Sequence, residues 1–188
     1  IRNLEQILKQ GGSHESQVAI SNADRAGQIL NALTQSVEQL RNELRSTVEK
    51  KATEAFMNLT SRRSDYRGLS INENYGLEIV NSDGEKVPLR SAGASQVVAL
   101  SLITGLNQTG KSPGPIIMDT PFGRLDEIHR GNILEYMPKT ASQFIVLVHS
   151  GEIEESGRLI ARIADRIGRT WKIESINANK SLITEVMS

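Results

Sequence analysis

The sequence predicts an α/β domain with parallel strands, preceded by a long coiled-coil helix. Apolar residues recur every three or four positions early in the chain and at every second position after Tyr66, which are the periods of a helix and of strands. Farther on, apolar strand-like runs alternate with helical stretches, as is typical of parallel strands joined by helices. Because 38% of the 188 residues are hydrophobic and only 4% are aromatic, we expect one domain with a mostly aliphatic core.

Composition limits the classes of protein to which the chain can belong. The 22 basic and 22 acidic residues give no net charge, so no overall field draws the chain to nucleic acid or to an anionic membrane. Cysteine is absent, which excludes disulfides and thiolate metal sites. Since no apolar run reaches the ~18 residues of a membrane span and no signal peptide opens the chain, we expect a soluble, cytoplasmic protein. The chain begins at Ile1 rather than Met, which indicates a fragment or a processed form.

A coiled-coil segment is predicted over residues 1–63, with a break near 11–14. The break, Gly11-Gly12-Ser13, is either a natural loop or a join left by shortening a longer coil. The alternative to a coil is a helix packed on its own domain, but roughly 40 residues without a Gly or Pro break favour the coil. The predicted seam has spacings of three and four and consists of Leu30, Leu33, Val37, Leu40, Leu44, Val48, Ala52, Ala55 and Leu59.

Residues 64–188 are predicted to form the α/β lobe. Alternation at Leu69 and Ile71, and again at Leu77 and Ile79, predicts short antiparallel strands before a turn at residues 82–84. The elements predicted after them are a helix over 94–106, a polar loop over 107–114, a strand over 115–119, a helix over 127–137, a strand over 144–148, a helix over 152–167 and a hairpin at 170–176 and 181–187.

Residues 105–112 match the phosphate-loop pattern G-x-x-x-x-G-K-[ST] letter for letter. A phosphate loop needs a strand before it and a helix that starts at the Lys-Ser pair. Here the preceding stretch is predicted helical, and Pro113-Gly114-Pro115 prevents a helix from following Ser112. The context therefore favours an ordinary surface loop. In the alternative interpretation, Lys111 and Ser112 bind a nucleotide.

Small residues lie where a strand gives way to a helix, in Arg90-Ser91-Ala92-Gly93 and on to Gln96. Ser91 and Gly93 allow the backbone to approach an anion, and the helix start supplies free N–H groups and the positive end of its dipole. The alternative is a simple helix N-cap, which is the more common role of such a serine.

Polar residues also follow the two apolar strands. Asp119 ends the first, where ligands bind in open α/β sheets and where a carboxylate suits Mg²⁺, held directly or through water. His149 ends the second, so both are expected at one edge of the sheet. Asp126 lies near the start of the next helix, where it is either part of a site or a cap.

The order of these features resembles the C-terminal lobe of the heads of SMC, SbcC, RecF and RecN ATPases, over roughly residues 25–188. The resemblance implies the C-terminal lobe of an ABC-type (P-loop NTPase) head, preceded by an antiparallel coiled-coil segment. Residues 118–126 are especially similar to DndD-type ATPases of DNA phosphorothioation systems. Each matching segment resembles one family motif: Arg90-Ser91-Ala92-Gly93 the ABC signature, Ile116-Ile117-Met118-Asp119 the Walker B strand, Gly123-Arg124-Leu125-Asp126 the D-loop, and His149 the switch histidine.

The resemblance implies an ATPase that works as a pair of heads. A missing N-terminal lobe would carry the phosphate loop, and two heads would form a homodimer that holds ATP between them, the signature of one facing the nucleotide of the other. DNA and other complex subunits would be further partners. The implied ATP contacts, made across the dimer, are Ser91, Ala92, Gly93 and Gln96. Asp119 would support Mg²⁺, Thr120 would orient water, Asp126 would act across the dimer, and His149 would sense the γ-phosphate.

Two departures from the family pattern bear on activity. Arg90 replaces the usual Leu, and Thr120 replaces the usual Glu that polarises the attacking water. A threonine hydroxyl can orient water but is no general base at neutral pH. Two functions therefore stay open: an ATPase that drives DNA-associated conformational change in repair, modification or defence, and an ATP-gated DNA clamp with little hydrolysis. The coiled coil disfavours the nucleotide-binding domain of an ABC transporter.

A basic cluster lies where the coil meets the lobe. Its residues either contact nucleic-acid phosphates or form a solvated face of the helix. They are Lys50, Lys51, Arg62, Arg63 and Arg67.

Overall fold

A long helix opens the part of the chain that the computed structural model describes, which is residues 14–88, 91–149, 152 and 157–186. Helix α1, His14–Leu59, has 46 residues and includes His14, whereas the rest of the predicted break, at 11–13, lies outside the described residues. Although α1 is long, no helix in the described ranges combines the length and the apolar character needed to cross a bilayer.

The contacts of the chain divide it into two compact units after Ser46. In the first unit the predicted seam is exposed at Leu30, Leu33, Val37, Leu40 and Leu44. The polar faces carry pairs within the helix, such as Arg41 with Glu38 at 2.7 Å. An exposed apolar seam on a long helix is what a coiled coil needs from one of its strands.

The last turns of α1 belong to the second unit, Thr47–Ser188. Ala52, Ala55, Phe56 and Leu59 are buried there, so this part of the predicted seam packs into a globular core. The first part of α1 thus has the exposed seam of a coiled-coil strand, whereas its last turns pack on their own domain. The boundary predicted at residue 63 stays a prediction.

An antiparallel sheet follows α1, as predicted. Its strands are β1, Tyr66–Ile71, β2, Leu77–Asn81, and β3, Lys86–Val87, in the order β1-β2-β3. Leu69 pairs with Ile79, and both are buried. The Glu49 carboxylate accepts a hydrogen bond of 2.6 Å from the Ile71 N–H, which fastens β1 to α1.

The α/β part follows the predicted order of elements. It consists of α2, Ala92–Thr109, β4, Ile116–Asp119, α3, Glu127–Tyr136, β5, Phe144–Leu147, α4, Gly157–Ile163, β6, Thr170–Asn177, and β7, Lys180–Val186. Strands β4 and β5 are parallel, with Asp119 opposite Leu147, and β6 and β7 form an antiparallel hairpin.

Some predicted element ends are wrong. Helix α2 ends at Thr109 rather than at residue 106, so it includes the first three residues of the predicted polar loop. The helix predicted from residue 152 begins later, because Glu152 lies in a turn and α4 is described from Gly157. Residues 153–156 lie outside the described residues. Strand β5 ends at Leu147, so His149 follows the strand by two residues rather than ending it.

The β4–β5 pair has one covered face and one open face. Ile116 and Met118 of β4 are buried in the aliphatic core, whereas Ile117 on the opposite face is 66% exposed. In β5, Ile145 is the pairing partner of Ile117. Ile145 and Leu147 are exposed on the same side of the sheet as Ile117. The sheet thus shows an apolar surface of the kind that a further layer of structure normally covers.

Candidate functional site

The phosphate-loop pattern at 105–112 does not form a phosphate loop. Gly105 is buried in the helix α2, and a Cβ at this position would stand 2.7 Å from the Ala52 backbone nitrogen. No strand leads into Gly105, and no helix follows Ser112, since the chain runs through residues 113–115 directly into β4. Lys111 and Ser112 are exposed in this connection. The pattern is therefore not a phosphate loop, as the context predicted. Its first part belongs to α2, and only the remainder is a surface loop.

Ser91 is the N-cap of α2. Its extended backbone lets its Oγ accept a 3.1 Å hydrogen bond from the Ala94 N–H. The simple cap considered from the sequence is thus present. The first N–H groups of a helix lack partners within the helix, so Ala92 and Gly93 begin a segment that favours an anion. Arg90 lies outside the described residues.

The first turns of α2 pack on the loop that follows Asp119. A Cβ on Gly93 would lie 3.1 Å from the Arg124 carbonyl oxygen, so only glycine permits this approach without a shift. One turn further, the Gln96 side-chain amide donates a hydrogen bond to the Pro121 carbonyl. The Gln96 Oε1 atom is buried and has no partner in the described structure. These contacts join the predicted signature segment to the predicted D-loop.

Asp119 and Thr120 lie at the carboxyl end of β4. Asp119 is exposed, and within the described residues no hydrogen bond or ion pair engages its carboxylate. Thr120 has φ +46°, and its N–H donates a 2.8 Å bond to the Leu147 carbonyl. A β-branched residue rarely adopts this left-handed conformation, which costs about 1–3 kcal/mol. Such strain is typical of functional sites.

A groove of about 290 Å³ runs between α2 and β4. Its polar end is formed by Gln96, Asp119 and Thr120, and its walls are aliphatic, with Leu100 and Ile103 from α2. Mg²⁺ commonly keeps several waters and binds one or two carboxylates together with substrate phosphates. The free carboxylate of Asp119 fits that pattern as a single protein ligand.

The D-loop turn is held from within. Leu125 N–H donates a 3.0 Å bond to the Phe122 carbonyl, and both side chains are buried. Asp126 is the N-cap of α3: its Oδ1 accepts from the His129 N–H at 2.9 Å and lies 2.8 Å from the His129 ring Nδ1. Desolvation raises the pKa of the Asp126 carboxyl, but the His129 hydrogen bonds and charge outweigh it and leave the pKa below its usual value of 3.8.

His149 is exposed and is held by its backbone. Its N–H donates a 3.3 Å bond to the Glu152 carboxylate, and its carbonyl accepts a 3.1 Å bond from the Glu152 N–H. The Glu152 carboxylate also faces the D-loop, because a Cβ on Gly123 would lie 3.4 Å from it.

Arg130 was missed by the sequence analysis. Its Nε donates to the Leu125 carbonyl at 2.9 Å and its Nη1 to the Glu152 carbonyl at 3.0 Å. The guanidinium therefore links the D-loop to the turn that holds His149. No sequence signal identifies such a residue, since both acceptors are backbone atoms that every residue carries.

Comparison with solved structures identifies the fold of the chain. No protein-family model matches the chain, and no curated protein is significantly similar to it. Among solved structures, one from work on ATP-driven dimerization and DNA-stimulated activation of SMC ATPases has a TM-score of 0.58 at 16% identity, over 79% of this chain and 89% of that chain. The SMC head domain with coiled coil and joint from Pyrococcus yayanosii has a TM-score of 0.69 at 15% identity, over 92% of this chain.

The SMC head bound to the C-terminal winged-helix domain of ScpA is also similar, with a TM-score of 0.59 at 16% identity over 79% of this chain. The chain spans 45% of that structure's length and 33% of the Pyrococcus yayanosii chain. The α/β unit and its helix therefore have the fold of SMC head domains, which are ABC-type ATPase heads.

Proposed function

We infer that this chain is the C-terminal half of an SMC-like ATPase head, which binds and hydrolyses ATP as a head-to-head dimer. The observation that carries this inference is the contact of Gly93 with the Arg124 carbonyl, together with the bond from Gln96 to the Pro121 carbonyl. These contacts fix a helix N-terminus, a strand-end carboxylate and the D-loop turn relative to one another. The helix start suits a phosphate and the carboxylate suits a cation, each as one part of a composite site that a second head completes.

Each group has a chemical task in this proposal. The start of α2 at Ser91, Ala92 and Gly93 faces the γ-phosphate of the nucleotide on the opposite head, where the helix dipole favours the negative charge. Asp119 holds the cation, which lowers the charge on the phosphates when it is bound. Thr120 orients the water that attacks the γ-phosphorus, and His149 senses the γ-phosphate. Catalysis is then mostly positioning and charge stabilisation.

The proposal requires a second lobe, because the described residues contain no phosphate loop. The exposed face of β4 and β5, with Ile117, Ile145 and Leu147, supports a partner that covers it. We propose that this partner is an N-terminal lobe of the same protein, brought close by the antiparallel coil to which α1 contributes one strand.

The first test is ATP hydrolysis by the chain with and without that lobe. We expect no turnover from these 188 residues alone and measurable turnover from the complete head. Phosphate release at saturating ATP measures both. Robust hydrolysis by the chain alone would overturn the proposal, since it requires a complete site within the chain.

A second candidate function is an ATP-gated clamp that barely hydrolyses, and Thr120 is the residue that favours it. Thr120→Glu in the complete head distinguishes the two. A large rise in hydrolysis indicates a clamp whose catalytic base was missing. Loss of hydrolysis indicates a tuned ATPase in which the Thr120 side chain has a role.

The biological setting is proposed on narrower grounds. The similarity of residues 118–126 to DndD-type ATPases supports a role in DNA modification, repair or defence. DNA is proposed to lie near the end of α1, where five basic residues cluster. Arg63 is partly engaged there by the Asn58 carbonyl at 3.2 Å, and Lys51 by Glu54 at 3.6 Å. Salt-dependent DNA binding by the complete head tests this placement.

A further inference from the structure

His129 lies between the D-loop carboxylate and the end of the long helix. One ring nitrogen, Nδ1, is 2.8 Å from Asp126 Oδ1. The other, Nε2, is 3.4 Å from the Ser61 backbone nitrogen and 3.3 Å from the Ser61 Oγ. The His129 side chain is only 19% exposed, whereas that of Asp126 is 61% exposed. The histidine is thus held in place while the carboxylate it contacts stays accessible.

The hydrogen bonds assign the tautomer of this ring. An N–H can donate only to an unprotonated nitrogen, so the bond from the Ser61 N–H requires Nε2 to be an acceptor. The ring proton then lies on Nδ1, where it is donated to Asp126. The imidazole therefore connects the Asp126 carboxylate to a backbone amide just beyond the end of α1, and each bond fixes the orientation needed by the other.

A second bond on the same face of α3 strengthens this connection. Asn132 Nδ2 donates to the Leu59 carbonyl at 3.2 Å. Asp126, His129 and Asn132 are spaced by three residues, so they follow one side of the helix. Asn132 satisfies a carbonyl of the last turn that α1 itself leaves unpaired, and His129 contacts Ser61 just beyond the helix end. Directional bonds thus join α3 to the end of α1.

The order Ser61, His129, Asp126 is also that of a hydrolytic triad, but the surroundings do not support one. Nε2 already accepts the Ser61 backbone N–H, which competes with any proton transfer from the Ser61 hydroxyl. The groove between α2 and β4 does not border Ser61. The contacts among these three residues therefore favour a structural role over a catalytic one.

We propose that His129 is a positioning residue that couples the D-loop to the end of the long helix. This inference rests on the proposed ATPase function, because it assigns a route by which engagement of Asp126 with a second head reaches the helix. The displacement of Asp126 on ATP-driven dimerization moves the imidazole and changes the bond to the Ser61 amide. The last turn of α1 then responds to nucleotide.

Two substitutions of His129 each remove one of the two hydrogen bonds of the imidazole and keep the other. An asparagine amide occupies roughly the place of Nδ1, so His129→Asn keeps a donor for Asp126 and loses Ser61. A glutamine amide reaches roughly the place of Nε2, so His129→Gln keeps a partner for Ser61 and loses the side-chain bond to Asp126. Ile128→Ala, at an exposed neighbour on α3, is the matched control.

The measurements are steady-state ATP hydrolysis by the complete head and amide hydrogen exchange at residues 59–62, with and without ATP. For the wild type and Ile128→Ala we expect exchange at 59–62 to change on ATP addition. His129→Asn keeps kcat within about twofold and loses that change, whereas His129→Gln lowers kcat about fivefold at unchanged KM, as the loss of one hydrogen bond gives. A purely structural role would move KM, kcat and thermal stability together.

The outcomes separate the two proposals. If the wild-type head neither dimerises nor hydrolyses ATP, the proposed function fails and this inference fails with it. If the wild type is active but exchange at 59–62 ignores ATP, or responds equally in His129→Asn, only the coupling is overturned. Should either His129 variant not fold, Asn132→Ala removes the neighbouring bond to the Leu59 carbonyl and carries the same expectation for exchange.

Discussion

Two of the candidate site residues, Ser91 and Asp126, are also helix caps. Each side-chain oxygen accepts a backbone N–H three residues ahead, at 3.1 Å from Ala94 and 2.9 Å from His129. The sequence offered capping and ligand binding as alternatives. The structure shows the capping, and this does not exclude the other role, because a capped helix start still has unpaired N–H groups.

Asp126→Asn tests the charge of the second cap. Since the folded-state pKa of Asp126 lies below its usual value of 3.8, the ionised form stabilises the fold above that pH. This contribution is lost as the pH falls through the lower, folded-state pKa. Near neutral pH we expect the free energy of unfolding of the wild type to exceed that of Asp126→Asn by a few tenths of a kcal/mol. The difference is small because water screens the exposed side chain.

Thermal denaturation of both proteins between pH 7 and pH 3 measures the difference. The gap should close as the pH falls below 3.8, because asparagine caps well and does not titrate. A gap that is constant over this range would show that charge has no part in the cap.

At the scale of elements, α2 approaches α1 closely at Gly105. A Cβ there would stand 2.7 Å from the Ala52 nitrogen and 2.9 Å from its Cα, and backbone atoms cannot give way cheaply. We expect Gly105→Ala to destabilise the second unit by about 1–3 kcal/mol through overpacking. Chemical denaturation followed by circular dichroism is the measurement.

Gly27→Ala is the control for that experiment. Gly27 is exposed in the same long helix, and an added Cβ meets nothing within 4 Å. There alanine should increase helix stability by up to about 1 kcal/mol, because glycine is the poorer helix former. Equal effects of the two substitutions would contradict the close contact with Ala52.

Periodicity predicted the elements well because burial follows the period of each element. The β1–β2 pair, β4, β5 and the final hairpin lie where alternation or apolar runs placed them. Ends that depend on single side-chain bonds were missed. Helix α2, for example, extends from Ala92 to Thr109, and Asn107 holds the loop beyond it by exchanging bonds with Gly114 at 2.9 and 3.1 Å.

Contacts between distant segments were beyond the sequence. The motif pattern selected Gly93, Gln96 and the D-loop separately, but it did not predict that they touch. His129 belongs to no motif, yet it contacts Ser61, which lies 68 positions away in the sequence. Such pairings are set by the packing of α3 against the end of α1, which local spacing does not encode.

At the scale of the whole molecule, the open face of β4 and β5 is the surface that the proposed N-terminal lobe would cover. Ile117 is 66% exposed there, whereas Ile116, on the other face of the same strand, is 6% exposed. A glutamate at these neighbouring positions should therefore have opposite consequences. Ile116→Glu buries an unpaired charge and is expected to unfold the α/β unit.

Ile117→Glu should leave the fold of the chain alone within about 0.5 kcal/mol of the wild type, as surface substitutions usually do. In the complete head the same carboxylate would be buried against the proposed N-terminal lobe, which costs several kcal/mol when the charge is unpaired. Ile117→Glu is therefore expected to keep the melting temperature of the chain and to lose binding of the lobe, measured by co-elution of the two halves. Undiminished binding would place the lobe elsewhere and leave this apolar face to a different partner.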